Sequence, residues 1–252
     1  VKILFLQHDP LDGPGALLEW AAERGHAVVS CMICKGESLP PIGGFDLLVS
    51  LGGPMGAYDE EKHPWLVAEK EYLRQTLAAG KKILGLCLGC QLLADALGGK
   101  AFRHTHKEFG WQPIEPTEDG REWFRQEDEL TSLENSKKDR VPALKPYREG
   151  SFLAFQWHGD TYSLPAGAVQ LARNEAAEQQ AFLLKAPEGG KALGLQFHLE
   201  WTEQMAREAL EEPCVAPPAS PYVQTPEEIL SDLTLFDSAR ERFFAMLDRF
   251  AG

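Results

Sequence analysis

Lys82-Ile83-Leu84-Gly85-Leu86-Cys87-Leu88-Gly89-Cys90-Gln91-Leu92-Leu93 decides how the rest of the chain is read. An apolar run, Lys82 to Leu86, leads into Gly85-x-Cys87-x-Gly89, and a helical pattern, Gln91 to Leu97, follows and closes on Gly98-Gly99. A strand that turns at once into a helix around a central nucleophile has the spacing of a nucleophile elbow, here with Cys in place of Ser. The glycines have a physical reason: the turn is tight, and neighbouring side chains must be absent for the backbone to reverse. At a helix N-terminus a thiolate gains from the helix dipole and from free N–H groups. The N–H of Leu88 points where an oxyanion would form. The competing reading is a buried structural cysteine in a Gly-rich turn; the strand-to-helix context favours catalysis.

Upstream, the pattern alternates. Lys2 to Gln7, His26 to Met32 and Asp46 to Leu51 read as strands, the last stopping at Gly52-Gly53-Pro54. Leu17 to Glu23, closed by Gly25, and Pro64 to Ala79, closed by Gly80, read as helices. Near-continuous apolar strands joined by helices predict an α/β fold: a doubly wound, largely parallel central sheet with helices on both faces. The site is then expected at the carboxyl ends of the strands. Downstream, short strands are expected at Trp111 to Ile114, Phe152 to Trp157, Val169 to Ala172, Ala181 to Leu184 and Ala192 to His198. Residues 115–150 are highly charged and read as a surface excursion with some helix. Prolines at 213, 217, 218, 221 and 226 mark a linker-like loop. Thr225-Pro226-Glu227-Glu228 is a capping box that opens a terminal helix, with a break expected near Asp237. Residues 1–205 are expected to form the catalytic domain. Residues 206–252 would be an extension, a Pro-rich loop then helix, packed on it.

The chain has 252 residues, of which 44% are hydrophobic and 25% charged, so it can bury a core without disulfide staples. Lys and Arg total 25 against 38 Asp and Glu, a formal charge of −13. Such a field repels phosphate backbones and anionic lipids, so neither nucleic acid nor a membrane is an expected partner. No apolar run approaches the roughly 18 residues that span a bilayer. The apolar start, Val1 to Leu6, is cut short by His8-Asp9-Pro10 and reads as a strand, not a secretory signal. Five cysteines spread over this length argue for a reducing, cytoplasmic setting.

Two C-x-x-C pairs, Cys31 with Cys34 and Cys87 with Cys90, could suggest zinc, but the gap between them far exceeds the usual spacing. Cys31, Cys34 and Cys214 read as inert, and no metal or organic cofactor is expected.

A thiol nucleophile needs a base, and the base an orienting acid. Gln156-Trp157-His158-Gly159-Asp160 and Gln196-Phe197-His198-Leu199-Glu200 both offer a carboxylate two residues after a histidine. Residues two apart share a face of a strand, so His198 and Glu200 lie side by side if the strand persists through Leu199. Gly159-Asp160 reads as a turn, which weakens its claim. His8, His26, His63, His104 and His106 have no comparable context.

Gly52-Gly53-Pro54-Met55-Gly56, Gly85-Leu86-Cys87-Leu88-Gly89-Cys90-Gln91 and Phe197-His198-Leu199-Glu200, in that order, resemble the class I, triad-type glutamine amidotransferases. The Gln156-Trp157-His158-Gly159-Asp160 stretch is similar to amidotransferases of the GMP-synthase type. The resemblance covers about residues 1–205 and implies a flavodoxin-like fold. It implies Cys87 as nucleophile, His198 as base and then acid, and Glu200 as its orienting partner. The N–H groups of Gly53 and Leu88 would form the oxyanion hole, and Gln91 would help hold the substrate. The loop around Glu108-Phe109-Gly110 would contact the substrate's amino-acid end. Cys90 and Leu199 stand where family members often have Ala and Pro, and neither change removes a catalytic atom.

The reaction implied is hydrolysis of the side-chain amide of glutamine through a Cys thioester. No G-x-x-x-x-G-K-[ST] occurs, since Gly98-Gly99-Lys100 and Gly189-Gly190-Lys191 lack the upstream Gly. The released ammonia would therefore go to a separate synthetase subunit, or the chain acts alone as a γ-glutamyl peptide hydrolase. A non-enzymatic binding or chaperone-like module on the same fold is the third reading. A serine-hydrolase arrangement fits less well, because there the acid precedes the histidine in the chain.

Overall fold

Alternation within the first strand dictates the layering. In β1 (Lys2–Gln7), Ile3 and Phe5 join one apolar cluster and Leu4 and Leu6 another, and all four are buried. A strand buried on both faces needs cover on both sides. The computed structural model describes residues 1–10, 12–125, 150–211 and 220–252. After β1 come α1 (Ala16–Glu23), β2 (Ala27–Met32), β3 (Leu47–Ser50), α2 (Trp65–Ala78), β4 (Lys82–Leu86) and α3 (Leu88–Ala96). Then follow β5 (Lys100–Pro116), α4 (Arg121–Phe124), β6 (Phe152–Ser163), β7 (Val169–Arg173), β8 (Ala181–Lys185) and β9 (Lys191–Leu195). Helices α5 (Glu203–Glu211), α6 (Pro226–Ile229) and α7 (Thr234–Ala251) come last.

The strands form one sheet in the order β2-β1-β3-β4-β9-β8-β7-β5-β6. The first five are mutually parallel, and the pairings from β9 to β6 are antiparallel. Leu84 and Leu86 of β4 and Leu193 and Leu195 of β9 face a cluster with Trp20 of α1 and Phe243 and Phe250 of α7. Ile83 and Ala192 face the other side, with Leu66 and Leu73 of α2 and Leu92 and Leu93 of α3. This is the doubly wound α/β architecture, extended by antiparallel strands. Among the described residues no helix is long and apolar enough to cross a membrane.

Several boundaries depart from the sequence reading. β2 is an edge strand with Val28 and Val29 exposed, not one covered on both faces. α3 begins at Leu88, not Gln91, because its first turn packs directly against the end of β3. β5 is 17 residues long, and its first half is polar. It pairs with β6 as a long ribbon, with a register shift between Arg103 and Glu108. A ribbon exposed along much of its length leaves no apolar run to read. β6 continues through Gly159 and Asp160, with Asp160 opposite Arg103, so the expected turn is absent. The stem of Lys107 lies 3.2 Å from where a Cβ on Gly159 would go, so it packs close over the glycine in mid-strand.

Of the charged stretch 115–150, the end of β5 and α4 are seen, and 126–149 lies outside the described residues. Part of the Pro-rich loop, 212–219 with Cys214, lies outside them as well. Beyond it, Tyr222 to Gln224 dock on β5: Phe109 N–H donates to the Tyr222 carbonyl and Gln224 N–H to the Phe109 carbonyl, both at 3.0 Å. The Thr225–Glu228 capping box is formed. The break expected near Asp237 falls earlier, between Ile229 and Thr234. There Ser231 Oγ donates to the Glu228 carbonyl and Asp232 accepts from Thr234 N–H, and these bonds stop one helix and start the next.

Candidate active site

Cys87 has φ 50° and ψ −107°, and among the described residues it is the one non-glycine with positive φ. That is the first central position of a type II′ turn, normally a glycine's place. Such a conformation costs roughly 1–3 kcal/mol and persists only when its surroundings enforce it. Here they do. A Cβ on Gly89 would come 2.0 Å from the Ser50 carbonyl oxygen, and one on Gly85 would come 2.6 Å from the Gly89 carbonyl oxygen. Gly89 N–H donates to the Leu51 carbonyl at 3.0 Å, and Cys87 N–H to the Leu195 carbonyl at 2.8 Å. The elbow is thus locked between β3 and β9.

Cys87 is 7% exposed and lines a cleft of about 690 Å³. Gly53, Leu88, Gln91 and His198 line the same cleft. Gln196 Nε2 lies 3.8 Å from the sulfur and the Trp157 carbonyl oxygen 4.0 Å. Leu88 is the first residue of α3, where an amide has no acceptor within its own helix.

His198 comes from the chain just beyond β9. The strand ends at Leu195, so a continuous strand is not what brings His198 and Glu200 together. A local clamp does it: Nδ1 of His198 is 2.5 Å from Glu200 Oε1, and Leu199 N–H donates to Glu200 Oε2 at 3.0 Å. His198 N–H donates to the Phe155 carbonyl at 2.8 Å, which pins the histidine backbone to β6. Ala16 N–H donates to the Glu200 carbonyl at 2.8 Å. Gly15, with φ 51°, permits that approach, since a Cβ there would sit 2.2 Å from the same oxygen. Both side chains are buried. Burial works against the imidazolium most strongly. The Glu200 charge, the neighbouring Cys87 thiol and the hydrogen bond to Glu200 outweigh it, and the ring is held well above its ordinary value. Nε2 of His198 is buried without a well-aligned hydrogen bond of its own.

The rival histidine is engaged elsewhere. His158 Nδ1 donates to the Asp160 carbonyl at 2.9 Å, and its Nε2 lies 3.1 Å from Glu108 Oε2. The Asp160 carboxylate instead accepts from Tyr58 Oη. Glu108 is fully buried in β5 and also accepts from Asn174 and Gln180, so it belongs to no substrate-contacting loop. Phe109, its neighbour, does line the cleft. Gln91 reaches the cleft, but its amide nitrogen donates to Gln196 Oε1 at 3.1 Å and to the Asp160 carbonyl at 3.3 Å.

The structure adds residues that the sequence reading passed over. Gln196 links Gln91 to the sulfur; a polar residue inside the apolar run Leu195-Gln196-Phe197 was its signal. Trp201 packs on the His198 ring with centroids 4.8 Å apart. Asp12 lines the cleft, and its carboxyl is pushed up, chiefly by burial and further by Glu200 and Asp9 against the opposing His198 charge. His8, which sequence context left without a role, is fully buried against Glu69. Cys31, Cys34, Cys87 and Cys90 are free thiols, and Cys90 is completely buried. Among the described residues no group of three or more His, Cys, Asp and Glu is placed to hold a metal ion.

Known proteins share this fold and much of the sequence pattern. The family model for glutamine amidotransferase class-I matches residues 34–215. A glutamine amidotransferase-like protein of Salmonella typhimurium, YfeJ, is 31% identical over 207 residues, covering 80% of this chain and 77% of the relative. GMP synthase of Edwardsiella ictaluri is 30% identical over 133 residues, which are 52% of this chain and only 22% of that enzyme. The crystal structure of a glutamine amidotransferase from Methylobacillus flagellatus superposes with a TM-score of 0.83 at 27% identity, covering 99% of this chain and 93% of that one. With three motifs in order, a doubly wound sheet and a matching family model, the chain belongs to the class-I glutamine amidotransferase family.

Proposed function

We propose that the chain hydrolyses the side-chain amide of glutamine through a covalent thioester on Cys87. The observation that carries this reading is the strained Cys87 turn, with the His198–Glu200 pair buried beside it in the same cleft. The Cys87 thiolate attacks the amide carbon. The N–H groups of Gly53 and Leu88 receive the oxyanion. His198 gives its proton to the departing nitrogen, which leaves as ammonia, and then draws a proton from the water that cleaves the thioester to glutamate. Glu200 fixes the ring orientation and favours the imidazolium. Because the amide nitrogen of Gln91 is committed to the protein, its carbonyl oxygen is what it can offer a substrate ammonium or amide.

On this reading residues 1–205 carry the catalysis, and residues 206–252 are an extension packed on them. α7 contributes Phe243, Met246 and Phe250 to the same apolar cluster as β4 and β9, which supports that arrangement. The GMP synthase match covers about a fifth of that enzyme, and the ammonia is proposed to pass to a synthetase that accepts it. Free thiols throughout the described residues fit a reducing, cytoplasmic setting. The cleft is much larger than one glutamine requires, and this favours a second reading, a hydrolase of γ-glutamyl compounds with a substituent on the amide nitrogen.

Incubation with glutamine and with γ-glutamyl peptides separates the two. Ammonia from glutamine alone supports the first, and cleavage of the peptides alone supports the second. Mass spectrometry after treatment with an electrophilic glutamine analogue should show one adduct, on Cys87, that is lost in His198→Ala. Labelling elsewhere, or an activity that survives Cys87→Ala, would refute the thioester and point to a binding module.

A further inference from the structure

His8 directly follows β1 at its carboxyl end, beside the Gly52-Gly53 segment that follows β3. It is fully buried and charged groups are rare in such places. Its two ring nitrogens both face acceptors. Nδ1 lies 3.0 Å from the Gly52 carbonyl oxygen, and Nε2 lies 3.0 and 2.9 Å from the two Glu69 oxygens. Glu69, itself fully buried on α2, also accepts from Ser50 Oγ at 2.7 Å. Trp65 stacks on the ring with centroids 5.4 Å apart. Two acceptors on one imidazole require both nitrogens to carry protons, or the proton to be shared with Glu69. Burial opposes that charge most strongly, but the charge and hydrogen bond of Glu69, with smaller help from Gly52 and Asp12, raise the ring above its ordinary value.

The bond to Gly52 has a geometric consequence. All described peptides are trans. In a trans peptide the C=O and the following N–H point in opposite directions. Fixing the Gly52 carbonyl on the buried His8 therefore sends the Gly53 N–H the other way, and Gly53 lines the cleft with Cys87. There is little room for a side chain there, because a Cβ on Gly53 would meet Leu88 Cδ2 at 2.8 Å and His8 Cβ at 3.0 Å. Glycine has no side chain to hold its own peptide plane, and a Gly-Gly pair turns freely. Something else must hold it.

We propose that His8, clamped by Glu69, is a positioning residue that turns the Gly52–Gly53 peptide so that its N–H faces the oxyanion formed at Cys87. This rests on the thioester reading for the role of the amide, but the peptide's orientation is separately observable. His8 touches no substrate. A protonated ring on the carbonyl also polarises the peptide and strengthens the N–H as a donor.

Two isosteric variants separate positioning from filling. The amide nitrogen of Asn falls near Nδ1 of a histidine, and that of Gln near Nε2. His8→Asn keeps a donor for Gly52, whereas His8→Gln keeps only the contact with Glu69. Crystal structures of both are expected to show the peptide unchanged in H8N and rotated in H8Q. With glutamine as substrate, kcat of H8Q should fall by about 10²-fold, approaching the loss of one oxyanion donor, with KM little changed. H8N should recover most of that loss. An H8Q peptide in the wild-type orientation, or equal losses in kcat for the two variants, would overturn the proposal. If H8Q does not fold, ¹⁵N-histidine NMR of the wild-type protein decides: a protonated Nδ1 on His8 supports it, and a bare Nδ1 overturns it. A wild-type protein inactive on glutamine would count against the proposed function, while the H8N and H8Q structures would still decide this one.

Discussion

Replacing Cys87 by glycine should make the protein more stable than replacing it by alanine, contrary to the usual effect of glycine. Both variants remove the thiol, so their difference isolates the backbone. Alanine keeps the Cβ that makes φ 50° and ψ −107° unfavourable; glycine accepts that conformation without strain. The relief is roughly 1–3 kcal/mol. Against it stands the greater freedom of glycine in the unfolded chain, about 0.4–1 kcal/mol. The net is about 1 kcal/mol in favour of Cys87→Gly, which for a chain of this size raises the unfolding midpoint by about 2–4 °C. Differential scanning calorimetry of the two variants measures it. Cys90, three residues on and inside α3, supplies the control. There Cys90→Gly should be less stable than Cys90→Ala by roughly 0.5–1 kcal/mol, the ordinary order. If Cys87→Gly melts at or below Cys87→Ala, the turn stores no strain and the physical reading of the elbow is wrong.

Gly89→Ala would drive a methyl group to 2.0 Å from the backbone of Ser50, which cannot swing away as a side chain could. We expect a loss of about 1–3 kcal/mol in urea unfolding, with the elbow displaced and activity reduced; a variant as stable as wild type would refute the packing account. The third prediction concerns pH. Since Glu200 is the strongest influence raising His198 and burial the strongest lowering it, the deprotonation of the ring should limit kcat/KM well above the ordinary imidazole value of 6.5. Glu200→Gln removes the raising charge and leaves the burial, so that alkaline limb should move to lower pH; a limb that stays in place would show that Glu200 does not set the ring's charge.

How far the sequence could be read depended on whether a residue's neighbours were local. The strands β1, β3, β4 and β9 are buried on both faces, so their apolar runs were visible, but the place of β9 beside β4 in the parallel set had no local mark. The elbow was visible because Gly85, Cys87 and Gly89 act within five residues. β5 and β6 were underestimated, because a largely exposed ribbon such as Arg103 to Lys107 sets polar beside polar and carries no periodic signal. The partner of His158 was misjudged for a similar reason: its carboxylate is Glu108, fifty residues upstream by number but opposite it across the ribbon. His8 and Glu69 meet across 61 residues and leave no mark in either local pattern. His198 and Glu200 do lie side by side, yet by a clamp from the Leu199 amide and not by a continuing strand.

The bond from Cys87 N–H to the Leu195 carbonyl joins the ends of two neighbouring parallel strands. The sulfur is therefore placed by the sheet's own lattice, at the edge where both strands run out, while β6, part of the long excursion of chain between them, pins the backbone that carries the imidazole. That excursion has a structural duty in β6 and exposed turns besides. Residues can be added to or taken from its exposed turns without altering the distance between the two reacting groups, so this part of the molecule is where new recognition surfaces can be grafted while the chemistry stays in register.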